Sequence, residues 1–292
     1  MSRVRFFLLL IPIVLSIAAE AQKHASCTFT FFKLGVTIPN LGPGVITPSG
    51  INDFGTVVGT AVPSNDQEPS VAFARWANGG YSFPLGTSSA TSSALVDEND
   101  SGGSIGFRAR VPIALSGTTA SPIKLNNIGS PVAFLGGINN WGSIVGSYST
   151  SSTINGFKRW SNGNALTLRY PGWGEHTSTF PTSINDSGTV VGSFFTGPSG
   201  VQLPQNGFMY QNGNWATLNY PNSENTDLVG ISNAGVIVGN AEDTDHGFIY
   251  VNGAFKIISA PDGSATTVAG ISPKLGLIVG TANQEGFIAK CN

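Results

Sequence analysis

The side chains best equipped for chemistry sit in a few variable stretches. Gly172-Trp173-Gly174-Glu175-His176-Thr177 places an indole, a carboxylate and an imidazole within four positions. Glu242-Asp243-Thr244-Asp245-His246 has acidic spacing that suits oxygen ligation of Ca²⁺, but lacks the glycine and terminal glutamate of an EF-hand. Asp66 and Glu68 add two carboxylates elsewhere. Glycoside cleavage needs two carboxyl groups about 5–10 Å apart. Glu175 with Asp227 or Asp243 are the pairs on offer, and nothing in their spacing forces that approach. His24, His176 and His246 are too scattered for a zinc site. No nucleophile elbow, P-loop or dinucleotide fingerprint occurs. No catalytic residue, metal or cofactor is therefore expected. Trp173, Glu175, His176, Asp243, Asp245 and His246 are the candidate ligand-binding residues.

What positions them is a repeat. Ile51-Asn52-Asp53-Phe54-Gly55-Thr56-Val57-Val58-Gly59 returns as Ile138 to Gly146, Ile184 to Gly192, Ile231 to Gly239 and, with one extra residue, Ile271 to Gly280. A degraded copy begins at Glu98, so units start at 51, 98, 138, 184, 231 and 271. Each unit continues with a Gly-Phe or Ala-Phe element, and most carry an Asn-Gly pair: Asn78-Gly79, Asn162-Gly163, Asn212-Gly213, Asn252-Gly253. Asn-Gly between alternating segments signals a type I′ hairpin, because both central residues need positive φ. Asn-x-x-Gly reads as a second tight turn, with the Asn side chain capping it locally and Gly left-handed. Two hairpins per unit make four strands in about 40–47 residues, the size of a propeller blade. The Glu98 unit, with Arg108-Ala109-Arg110 in place of an Asn-Gly turn, is expected to be distorted. Trp76 and Trp160, at matching positions, read as blade packing, and the Asn-Asp tips as turn formers.

The Ile-Asn-x-x-Gly-x-Val-Val-Gly core with Ala72-Phe73 and His246-Gly247-Phe248 resembles the probable extracellular repeat of the HAF family, over roughly residues 50–290. The resemblance implies an exported bacterial protein and brings no established activity with it.

The sixth unit ends at Cys291-Asn292, before a fourth strand, and residues 27–34 form an alternating segment without a partner. Placing that segment beside the last strand completes a sixth blade and removes two exposed edges. Cys291 then stands where other units have the Asn of Asn-Gly, and Cys27 begins the next strand, so a disulfide would replace the missing turn. A five-bladed ring, an open array and unpaired thiols are the alternatives. The expected fold is all-β: a six-bladed propeller closed by its N-terminal strand, forming one domain over residues 22–292.

Residues 1–21 read as a signal peptide: Arg3 and Arg5, an apolar run over 6–19, then Ala19 and Ala21 at the −3 and −1 positions. The run is shorter than the roughly 20 residues of a membrane span. Charge is sparse, with 14 Lys+Arg against 16 Asp+Glu and a net of −2 among 292 residues, which argues against a nucleic-acid partner. A hydrophobic share of 40% argues against disorder. Strand parity puts the 1–2 and 3–4 turns of every blade at one end, here the turn face. The variable 2–3 and 4–1 loops share the other, the loop face, where binding is expected. The expectation is a secreted, monomeric, non-enzymatic protein that binds a glycan or protein there; the alternative is a carbohydrate-active propeller hydrolase or lyase.

Overall fold

The computed structural model describes residues 23–151, 153–172, 177–196, 204–241 and 244–292. These form six sheets, each with four antiparallel blade strands, arranged as a closed β-propeller. The innermost strands are Gly42–Ile51, Ser93–Glu98, Val132–Ile138, Thr177–Ile184, Thr226–Ile231 and Thr266–Ile271. Each packs on the next, and the sixth packs on the first, around a central channel. Among the described residues no α-helix occurs, and no helix is long and apolar enough to cross a membrane.

Closure is made by the N-terminal strand, as the sequence led us to expect. Cys27–Lys33 pairs antiparallel with Glu285–Cys291 as the outer strand of blade 6, Cys27 opposite Cys291, and the two cysteines form a disulfide. Just before it, Lys23–His24 runs parallel to Ala254–Ile258 on the outer edge of blade 5. After it, Gly35–Ile38 pairs with the start of the blade 1 inner strand.

The repeated Gly-Phe element builds the core. Phe73, Phe157, Phe208, Phe248 and Phe287 are fully buried, each opposite the last glycine of its own Val-Val-Gly segment. That glycine has to lack a side chain: a Cβ at Gly239 or Gly280 would lie 2.6 Å from the facing phenyl ring. Blade 2 lacks this phenylalanine and sets Ile113 against Gly106 instead. It is a regular four-stranded sheet, contrary to the distortion expected, because Ala109 and Arg110 both take positive φ and close its middle hairpin in two residues.

The Asn-Gly turns divide into two kinds. Asn212-Gly213 and Asn252-Gly253 both have positive φ, the expected type I′ geometry. In blades 1 and 3 only Gly79 and Gly163 do. There the turn is longer: Trp76 N–H bonds Gly80 O, and Asn78 Oδ1 accepts from Gly80 N–H at 3.0 Å. Trp76 and Trp160 mark those longer turns and are 45% and 41% exposed, so they pack on blade edges only in part.

All six inner strands carry a β-bulge at the same position, at Ser49, Val96, Gly136, Thr182, Val229 and Ala269. A bulge re-aims the residues around it. Here the bulges encircle the waist of the channel and separate its two mouths.

Candidate functional site

The turn-face mouth is sealed by the repeat itself. Asn52 Oδ1 accepts from Phe54 and Thr56 N–H, both at 3.0 Å, which is the local cap expected of Asn-x-x-Gly. The amide end of the same side chain does a second job. Asn99, Asn139 and Asn185 each donate Nδ2–H to the carbonyl of the equivalent residue one blade on, at 3.0–3.1 Å. Asn52 donates to Glu98 Oε1 at 2.8 Å.

The next position makes a second circle. The N–H groups of Asp53, Asp100, Asn140 and Asp186 donate to side-chain oxygens of Asp100, Asn140, Asp186 and Asn233 at 2.8–3.0 Å. Asn233 N–H continues to Pro273 O, and Lys274 and Leu275 N–H return to Asp53 Oδ1. Lys274 Nζ also reaches Asp100 Oδ2 at 3.1 Å. Burial pulls the Asp100 carboxyl upward, but the Asp53 amide, Lys274 and Asn140 outweigh it and hold the group below its ordinary value. The Asn-Asp tips thus join blades as well as turning the chain.

At the waist, Asp97 and Glu98 replace the small residue and isoleucine of the other units. Asp97 stands where Gly50, Gly137, Ser183, Gly230 and Gly270 stand elsewhere. Its Oδ2 accepts from Ile138 N–H across the blade interface, and its Oδ1 from Glu98 N–H, both at 2.9 Å. Burial pushes its pKa from 3.8 to about 7; the two amides resist the rise and the neighbouring Glu98 charge adds to it. Glu98 is also raised by burial, against the pull of Ser104 Oγ–H on its Oε2. The two voids around them hold about 20 Å³ each, room for about one water apiece. These carboxylates therefore face a space too small for an organic substrate.

The loop face is different. Four residues before the end of each inner strand stand Thr47, Ala94, Phe134, Phe180, Asp227 and Thr267. Phe134 is 53% exposed, and its ring lies 6.2 Å from that of half-buried Phe180, which meets Phe195 edge-on at 5.7 Å. On the opposite side, a groove of about 340 Å³ between blades 6 and 1 is lined by Thr47, Thr267, Thr281, Asn283 and Gln284, together with Leu34, Val45 and Ile46. Aromatic faces thus stand across the mouth from neutral hydroxyl and amide groups.

Of the residues singled out from the sequence, Trp173, Glu175, His176 and Asp243 lie outside the described residues, as do Ala19 and Ala21. Asp245 takes positive φ in a turn, and its carbonyl accepts from Thr266 N–H on blade 6 at 3.1 Å. His246 opens a strand beside it; its Nδ1 is buried with no hydrogen-bond partner among the described residues. Asp66 and Glu68 belong to blade 1, so blade 6 separates them from Asp245 and His246. Among the described residues no group of three His, Cys, Asp or Glu side chains could hold a metal ion. Phe134 and Phe180 were missed because alternation marks them only as strand residues; their shared register was the available signal.

No family model and no curated protein sequence matches the chain. Solved structures do, and they are propellers. A gluconolactonase from Xanthomonas campestris superposes with a TM-score of 0.52 at 9% identity, over 93% of this chain and 98% of that one. Virginiamycin B lyase from Staphylococcus aureus superposes with a TM-score of 0.50 at 10% identity, over 90% and 99%. At these identities the likeness is one of fold.

Proposed function

We propose that this chain is an exported, non-enzymatic propeller that binds an uncharged glycan through its loop face. The observation that carries the reading is the Phe134–Phe180 pair, partly open to solvent at the loop-face mouth. An exposed aromatic face is a natural platform for the apolar side of a sugar ring. The Thr, Asn and Gln groups of the facing groove supply hydroxyl and amide partners without charge. Export is supported by the disulfide, by the leader-like residues 1–21 and by the resemblance of the repeat to HAF extracellular repeats. Binding is preferred to hydrolysis or lysis because the acids of the channel and turn face are engaged in holding the ring together. Asp53, Asp97, Glu98, Asp100 and Asp186 each accept hydrogen bonds within or between blades.

The test is a glycan and polysaccharide binding screen on the chain without residues 1–21, with product analysis on every hit. Binding without cleavage, weakened in Phe134→Ala and Phe180→Ala, is the expected result. New reducing ends or unsaturated products would move the protein to the enzyme class. Binding that survives both substitutions would overturn the loop-face assignment.

A further inference from the structure

On the turn face a cleft opens between blades 5 and 6. It holds about 260 Å³ and runs from the channel outward, with walls from Val236, Ile249, Val251, Ile271, Leu275 and Ile278. Lys274 stands at its inner end, and Lys256 with Asn292 at its outer end.

Departures from the repeat open this cleft. Blades 1–4 have Asn52, Asn99, Asn139 and Asn185 at the first turn position; blades 5 and 6 have Ser232 and Ser272. Both hydroxyls preserve the local cap, accepting from Val236 N–H at 3.2 Å and Leu277 N–H at 3.0 Å. Neither has an amide to carry across to the next blade. The residue after the turn glycine is Thr56, Gly103, Ser143 or Thr189 in blades 1–4, but Val236 and Leu277 in blades 5 and 6. At the blade 3–4 interface, Lys158 extends to Gly188 O at 3.1 Å and fills the equivalent space. Its counterpart in blade 5 is the shorter Ile249.

We infer that this cleft is a binding site for a small carboxylic acid with an apolar body, such as a short acyl chain or a single aromatic ring. Size fits that class, since the cleft falls just below the roughly 300–1,000 Å³ of sites for drug-sized ligands and so suits a smaller molecule. The walls take the apolar body. Lys274 Nζ is held by Asp100, so the anchor for the carboxylate is the Lys256 ammonium. Among the described residues its hydrogen-bond partner is Asn292 O, at a long 3.3 Å, a contact that a carboxylate oxygen can replace or share. This site is separate from the loop-face mouth, so each reading can fail without the other.

The experiment is calorimetric titration of the oxidised protein with 3-phenylpropionate and, in parallel, with neutral 3-phenylpropanol. One site per chain is expected, with the acid bound about tenfold more tightly than the alcohol. Lys256→Met should bring the acid down to the affinity of the alcohol and leave the alcohol unchanged. Ile249→Met, which borrows the residue of blade 4 (Met209), should weaken both ligands by narrowing the cleft, with the thermal midpoint as the folding control. Equal affinity for acid and alcohol, no binding of either, or an unaltered acid affinity in Lys256→Met would each overturn the assignment.

Discussion

Asp53 and Leu275 stand 222 positions apart in the chain, yet Asp53 Oδ1 accepts the N–H of Leu275 at 2.8 Å. The same oxygen accepts from Lys274 N–H, so one carboxylate receives two amides of the last blade and completes the circle of inter-blade hydrogen bonds. The circle resists opening at the blade 6–1 seam, where the backbone passes from Lys33 of blade 6 through Leu34 to Gly35 of blade 1.

Removing that acceptor should be felt across the whole ring. Asp53→Ala is expected to lower unfolding stability by about 1–3 kcal/mol, because two backbone donors lose their partner. Asp66→Ala, in an exposed loop, should change it by less than about 0.5 kcal/mol. Equilibrium denaturation in urea gives both numbers. Equal effects would mean that the circle contributes nothing to closure.

Reduction should loosen blade 6 from its outer edge. The Cys27–Cys291 bond spans 264 residues. In the chain-entropy account a loop of that size is worth at most about 5.5 kcal/mol. Cys27→Ala/Cys291→Ala should therefore lower the denaturation midpoint, and amide exchange should speed up first over Thr28–Lys33. Uniform acceleration over all six blades would contradict a local latch.

Stability should fall as pH rises from about 5 to 7. The Asp97 carboxyl is raised to about 7 in the fold against 3.8 in its ordinary state, so between those values the folded chain holds the extra proton. Its favourable contribution is complete below pH 3.8 and gone above 7, at up to roughly 1.4 kcal/mol per pH unit. Glu98 adds to the same trend. Asp100 opposes it at the acid end: its lowered carboxyl loses its contribution as pH falls below 3.8. Denaturation curves between pH 4 and 8 should show stability highest at the acid end, near pH 4, and falling toward pH 7. In Asp97→Asn the slope above pH 5 should flatten, even though the new amide N–H₂ faces a backbone donor and lowers stability at every pH.

The buried and exposed phenylalanines should separate cleanly. Phe248→Ala is expected to cost about 3–5 kcal/mol through loss of core packing. Phe134→Ala, half open to solvent, should cost less than about 1 kcal/mol while reducing glycan binding. Thermal melting and the binding screen together decide the point. A large stability loss in Phe134→Ala would make it a core residue rather than a contact.

Much of this architecture was legible in the sequence because each blade repeats the same local solution. Ile-Asn-x-x-Gly located the inner hairpins, Gly-Phe the second half of each unit, and the short last unit pointed to Cys27 as the partner of Cys291. What stayed hidden was whatever depends on the neighbouring blade. Asn139 looks like a cap in its own turn; only the ring shows its amide bonding Asn185. Asp97 looks like one more exposed acid until the ring sets Gly50 and Gly137 of the flanking blades against it. The difference between Asn78-Gly79 and Asn212-Gly213 turned on a single extra residue, which shifts the left-handed position from both residues to the glycine alone. Phe134 and Phe180 come together through strands 46 positions apart, a proximity that alternation within either strand does not encode.

The disulfide also sets an order of events in time. Cys27 is made 264 residues before Cys291, so the strand Cys27–Lys33 waits while the blades between are made for the strand it belongs beside. Until then Phe29 and Phe32, on opposite faces of the strand, have no sheet to join, and Cys27 carries an unspent thiol. Pairings this distant in sequence form slowly, since the intervening chain must be gathered first. Blades 1–5 can assemble from local hairpins in the meantime, and the ring becomes a ring only with its last few residues. A chain stopped short of Cys291 would keep its blades and lose its closure.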